Sequence, residues 1–168
     1  YLPHRSLERL LHLVRRWLPL LPDPEFSAEA NPSYLDREKI DMLAEFGVNR
    51  LSLGVQSFEP DLLKVLERDH RPEDVPRVLE FIRPRMANIS LDLIFGVPGQ
   101  TLEQWRGDLA RALALAPGHI ATYGLTYEKG TRLWKQREHG QVAALDEDTE
   151  YQFYNEAMDT LEAAGFEH

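Results

Sequence analysis

The chain has 168 residues, 43% apolar and 28% charged, enough to bury a core as one domain or part of one and too apolar for wholesale disorder. Nineteen Lys and Arg against 28 Asp and Glu leave a net charge of −9, which disfavours non-specific nucleic-acid or anionic-membrane binding. The absence of cysteine removes disulfides, thiol nucleophiles and thiolate metal sites from this stretch, and the best membrane candidate, Leu10 to Leu21, is broken by Arg15 and Arg16.

In chain order, Ser6 is placed to cap a first helix, in which Leu7, Leu10, Leu11, Val14 and Leu18 recur at helical spacing. Pro19 and Pro22 end it. Phe26, Ala28 and Ala30 alternate with Ser27, Glu29 and Asn31, a short strand with one polar face. Ser33 followed by Asp36 reads as the cap of a second helix, with Ile40, Leu43 and Phe46 as its stripe and Gly47 as its stop. Arg50 to Ser57 alternates strictly with period two. Two short helices follow, from about Pro60 to Glu67 and from about Pro72 to Phe81.

Ala87 to Phe95 is the third strand, and Gly96-Val97-Pro98-Gly99 turns the chain. Thr101 with Gln104 forms a capping box for a helix carrying Leu102, Trp105, Leu109, Ala112 and Leu113. His119 to about Tyr127 is the fourth strand. A charged loop leads through Asp146-Glu147-Asp148 into a last helix ending at Gly165. The order is α-β-α-β-α-α-β-α-β-α-α, which implies parallel strands with right-handed crossovers in a barrel or an open doubly wound sheet.

Ligands of parallel α/β proteins sit at the carboxyl ends of the strands. With Leu51, Leu53 and Val55 facing the helices, Ser52, Gly54 and Gln56 turn the other way. Ser90 and Asp92 share a face opposite Ile89, Leu91 and Leu93, and Glu29 opposes Phe26, Ala28 and Ala30. A single inward carboxylate or amide often only satisfies loop backbone groups. Three on successive strands favour a ligand pocket but name no ligand. Arg68, just after a short helix, reads by position as a solvated surface charge.

Other constellations are weak. The six histidines show no metal-ligand spacing. The glycine turn at 96–99 lacks the Lys-Ser/Thr of a phosphate loop, and no Gly-x-Ser-x-Gly elbow is present. Tyr123, Tyr127, Tyr151 and Tyr154 are expected in core and rim packing. Lys39, Lys64, Lys129 and Lys135 fall on helices or loops, which argues against a Schiff-base barrel.

Three segments together are specific: Glu29-Ala30-Asn31-Pro32, Gly47 to Phe58 (GVNRLSLGVQSF), and Leu91 to Thr101 (LDLIFGVPGQT). In that order they resemble the radical S-adenosylmethionine (SAM) family, within it the oxygen-independent coproporphyrinogen III oxidase group. Tyr123 to Thr131 and the acidic entry at 146–148 are more similar to the heme-chaperone (HemW) branch of that group than to the oxidase. The resemblance implies an α/β fold, a parallel partial (β/α) barrel of radical SAM type, here as a fragment of about four strands with flanking helices.

It also implies cofactors, partners and roles. A [4Fe–4S] cluster fed by an electron donor would reductively cleave SAM to a 5′-deoxyadenosyl radical, and the partner would be heme or a porphyrinogen. Glu29 matches the carboxylate that contacts the SAM at the cluster. Gln56, Arg68 and Asp92 match residues that line a second SAM site in the oxidase, which moves Arg68 from surface charge to ligand.

The family's Cys-x-x-x-Cys-x-x-Cys motif and Gly-Gly-Thr-Pro segment have no counterpart here, and Tyr1-Leu2-Pro3 reads like the residues following the latter. Residues 1–168 are therefore expected to be the central and C-terminal part of a radical SAM core domain, with the N-terminal cluster-binding strands and a C-terminal heme-binding segment lying elsewhere. A heme chaperone is favoured over a decarboxylating oxidase, and a cluster-free ligand-binding remnant is the third reading. Without a targeting signal, a cytoplasmic location is expected.

Overall fold

The computed structural model describes residues 2–168; Tyr1, at the head of one family-like segment, lies outside them. Four parallel strands, β1 (Ser27–Ala30), β2 (Arg50–Gln56), β3 (Asn88–Phe95) and β4 (His119–Gly124), form one sheet in chain order. Right-handed crossovers, the rule for parallel strands, lay the helices that connect strands in chain order on one face. That is a segment of barrel wall, and it decides against the doubly wound sheet, which needs a reversal of strand order.

The helices are α1 (His4–Trp17), α2 (Arg37–Glu45), α3 (Pro60–Val65), α4 (Asp74–Ile82), α5 (Leu102–Ala114), α6 (Arg132–Glu138) and α7 (Glu147–Ala163). The core lies between them and one face of the sheet. From β2 and β3 come Leu51, Leu53, Val55, Leu91 and Leu93, each wholly buried. Ile40 and Leu43 of α2, Val75, Val78 and Ile82 of α4, and Trp105 and Leu109 of α5 close over them. Trp105 satisfies its indole by donating to the Phe153 carbonyl at 2.9 Å, which ties α5 to α7.

Thr101 and Gln104 form the reciprocal capping box that their spacing predicts. Two other caps differ. The first helix begins at His4 with Pro3 as its N-cap, and the Pro3 carbonyl accepts from the Ser6 and Leu7 amides, so Ser6 sits inside the first turn. Ser33 lies in a 3₁₀ turn, Pro32–Tyr34, whose cap is Asn31; Asp36 itself caps α2 by accepting from the Lys39 amide. The insertion of that turn explains the shift, because it consumes the residues before Asp36.

The tail keeps the expected order of two helices after the fourth strand. The first, α6, is capped by Thr131 and takes up part of the charged segment, while β4 stops at Gly124, short of Tyr127. Tyr123, Tyr151 and Tyr154 are exposed rather than packed, while Tyr127 is half-buried with the Arg137 guanidinium over its ring. Among the described residues no helix is long and apolar enough to cross a membrane.

Candidate functional site

The side of the sheet away from the helices is polar, because period-two alternation sends every second residue there. Register places Glu29 beside Ser52 and Ser52 beside Ser90, with His119 next in line on β4. One step toward the carboxyl ends, Gly54 lies beside Asp92 and Asp92 beside Ala121. The alternation expected for β2 and β3 therefore holds.

Asp92 is held by its neighbours. Ser52 Oγ lies 2.7 and 2.9 Å from its two carboxylate oxygens, and Ser90 Oγ lies 3.3 Å from one of them. Ser90 Oγ is also 2.9 Å from His119 Nδ1, so a polar chain crosses β2, β3 and β4. A hydroxyl donating to a carboxylate fixes its direction.

Gln56 ends β2 at an irregularity. The pairing with β3 slips between Gly54 and Gln56, and Gln56 takes φ of +66°. For a residue with a Cβ that left-handed conformation costs roughly 1–2 kcal/mol. Its side chain folds back along the strand: a Cβ on residue 54 would meet Gln56 Nε2 at 2.8 Å. Only glycine at 54 leaves that space open.

Arg68 is not the surface charge its position suggests. It is half-buried, and its Nε is sealed from solvent with no hydrogen-bond partner. Its charge, after desolvation, helps push the pKa of buried His70 down, and His70 in turn reaches the Val55 carbonyl with Nε2 at 2.8 Å. Because a carbonyl only accepts, Nε2 carries the proton and Nδ1, also sealed and unpartnered, is an acceptor. The residues after α3 thus return to the end of β2. Tyr34 Oη donates to Asp69 at 2.8 Å and joins this loop to the one following β1.

Glu29 is exposed and lines a cavity of about 210 Å³ with Ala28, Ala30, Tyr34 and Lys39. Of the four expected site residues, the fold puts Glu29, Gln56 and Asp92 on or at the end of one sheet face, and brings Arg68 to the same rim through the His70 loop.

Two groups near the rim escape the sequence patterns. His70 has no local signal. Asp108 does, being a carboxylate beside the apolar residues of α5. It is wholly buried, and its oxygens accept from Ser57 Oγ and the Phe58 amide, each at 2.7 Å. Desolvation dominates over those two bonds and raises its pKa to about 6.

These donors and acceptors can be tested against the groups such a fold implies. SAM presents a carboxylate, an ammonium, ribose hydroxyls and a sulfonium. An unpartnered guanidinium nitrogen on half-buried Arg68, the carboxylates of Glu29 and Asp92 and the Gln56 amide match those groups in kind. An iron–sulfur cluster does not fit these residues, since they contain no thiolate. Among the described residues no group of three or more His, Asp or Glu is placed to hold a metal ion.

A wall of parallel strands in chain order, polar on its inner face and set with charged groups, defines an α/β protein of the partial-barrel class. The chain belongs to the radical SAM superfamily, whose profile matches residues 2–112. It is similar to the heme chaperone HemW of Synechocystis sp., at 38% identity over 99% of this chain and 41% of that protein. HemW of Bacillus subtilis is 39% identical over 98% of this chain and 44% of its own length. Coproporphyrinogen III oxidase (HemN) from Escherichia coli, described as a radical SAM enzyme, superimposes with a TM-score of 0.85 at 26% identity, over 99% of this chain and 38% of that one. The chain thus spans about two fifths of the curated relatives' length.

Proposed function

We propose that this chain is the central and C-terminal part of the core domain of a radical SAM protein that carries heme to acceptor proteins. The observation that carries the heme reading is the likeness to HemW over 98–99% of the chain. When bound, a [4Fe–4S] cluster and SAM would supply one-electron reduction and a carbon radical; the thiolates for the cluster come from residues outside this stretch.

The chain's own groups hold SAM and keep its polar parts oriented. Glu29 accepts from the SAM at the cluster. Arg68 would pair with a SAM carboxylate through its terminal guanidinium nitrogens, Asp92 would accept from an ammonium or ribose hydroxyl, and the Gln56 amide would supply a further hydrogen-bonding group. Supporting this reading are the unpartnered Nε of Arg68 and the fixed direction of the Asp92 carboxylate. An electron donor and a cytoplasmic setting belong to the same proposal.

Titration of SAM into the chain by calorimetry tests the site. Arg68→Ala should weaken binding about tenfold or more, the loss of a charge-assisted pair. Unchanged affinity would remove Arg68 from it. Heme titration of the intact protein, followed by assay with coproporphyrinogen III, separates the two activities. Heme binding without turnover is the expected result, whereas decarboxylation of the propionates would establish the oxidase, the reading that the HemN superposition favours.

A further inference from the structure

The turn that carries Gln56 is gripped by groups that have no part in the ligand reading. On one side, Asp108 in α5 accepts from Ser57 Oγ and from the Phe58 amide, both at 2.7 Å. One helical turn on, Arg111 Nη1 donates to the Phe58 carbonyl at 2.7 Å. On the other side, the Val55 carbonyl accepts from His70 Nε2 at 2.8 Å and from the Ser57 amide at 2.8 Å. The residues before and after Gln56 are thus both anchored, and Gln56 between them has φ of +66°.

A carboxylate in the wholly buried middle of α5 is a poor source of stability. An apolar side chain there would avoid the desolvation that raises the Asp108 pKa. Two acceptor oxygens at fixed places provide direction instead: they are satisfied only if Ser57 and Phe58 turn as they do. Left-handed backbone at a non-glycine residue persists where the surroundings over-determine it, and these bonds do so.

We propose that Asp108 and His70 are positioning residues that preset Gln56, holding its backbone left-handed and its amide over Gly54 before a ligand arrives. The functional half of this proposal rests on the reading of Gln56 as a SAM-contacting group.

The test uses Asp108→Ala, Asp108→Asn, the milder Ser57→Ala, His70→Phe and, as a packing control on α4, Ile82→Ala, each confirmed folded by circular dichroism at the working temperature. Two quantities are read: the ¹³Cα and ¹³Cβ shifts of Gln56, which report the sign of φ, and SAM affinity by calorimetry. Asp108→Ala, Ser57→Ala and His70→Phe should move the Gln56 shifts toward extended values and weaken SAM binding, about tenfold for Asp108→Ala. Asp108→Asn should keep both, because its oxygen can accept from Phe58 and its amide can donate to Ser57 Oγ. Ile82→Ala should lose stability and leave both readouts unchanged.

Unmoved Gln56 shifts in Asp108→Ala and Ser57→Ala, or equal movement in Ile82→Ala, would overturn the proposal. Gln56→Ala separates this from the site reading. If Gln56→Ala binds SAM like the parent while Asp108→Ala displaces Gln56, the positioning stands and the ligand role of Gln56 falls. If Gln56→Ala weakens binding but Asp108→Ala, with Gln56 displaced, does not, presetting is overturned.

Discussion

At the scale of single residues, the rim is a set of local exceptions: a glycine where a strand wants a side chain, a left-handed glutamine, and buried ionisable groups. Gly54→Ala tests the first. The added Cβ would meet the far end of the Gln56 side chain at 2.8 Å, and its nearest backbone atom, the Ala30 carbonyl oxygen, at an ordinary 3.6 Å. Stability should therefore stay within about 1 kcal/mol by urea unfolding. SAM affinity should fall severalfold as Gln56 swings away; an unchanged affinity would mean that its amide is not needed there.

His70 gives a pH-dependent signature. Burial, the Arg68 charge opposing protonation, pushes its native pKa below the ordinary 6.5, although the Val55 hydrogen bond pulls the other way. The unfolded chain then binds a proton more readily than the native one between those two values. The His70 contribution to stability is full above pH 6.5 and is lost as pH falls through the depressed native value. Between pH 7.5 and 5 the raised Asp108 pKa acts in the opposite sense, so the His70 loss is read as a difference. His70→Gln, which still donates to Val55, should be more stable relative to the parent at pH 5 than at pH 7.5 by urea unfolding.

At the scale of elements, α5 joins packing to the site. Its inward face carries Trp105 and Leu109 against the sheet and Asp108 against the β2–α3 loop, so its placement along the sheet sets where the loop is gripped. The capping box fixes the start of that helix. Thr101→Ala removes the acceptor for the Gln104 amide and should cost about 1 kcal/mol in thermal or urea unfolding. Thr101→Ser should restore most of it. The element patterns show why caps were harder to read than stripes. Apolar spacing repeats over a whole helix, whereas a cap is one residue, and Ser6 and Asp36 lost or gained that role through their neighbours Pro3 and the Asn31-headed turn.

At the scale of the whole molecule, the sheet ends in two strands that each pair on one side only among the described residues, β1 with β2 and β4 with β3. Unpaired strand edges and exposed apolar groups such as Trp17, Leu18 and Leu21 favour association. The 168-residue chain prepared alone should therefore show a sedimentation coefficient that rises with concentration. Concentration-independent monomers would show that its edges are protected by their own short length and charge.

The sequence by itself determined the layers and the faces. Alternation in Arg50–Gln56 and Asn88–Phe95 says which residues meet helices and which do not, because pleating leaves no other choice. The ordered segments around Glu29, Gln56 and Asp92 determined the family, since their residues and gaps recur together. Element alternation left barrel wall and doubly wound sheet open, and only the family resemblance implied the barrel. The tertiary structure showed it, because strand order is a property of pairing between segments distant in the chain. The tertiary structure also showed half-buried the Arg68 that position reads as a surface charge and the family resemblance reads as a ligand. It alone joined His70 to Val55 and Asp108 to Ser57, across 15 and 51 positions. No local pattern encodes such contacts: a buried polar group finds its partner through the packing of whole elements, and the need to satisfy it then fixes the conformation of the turn.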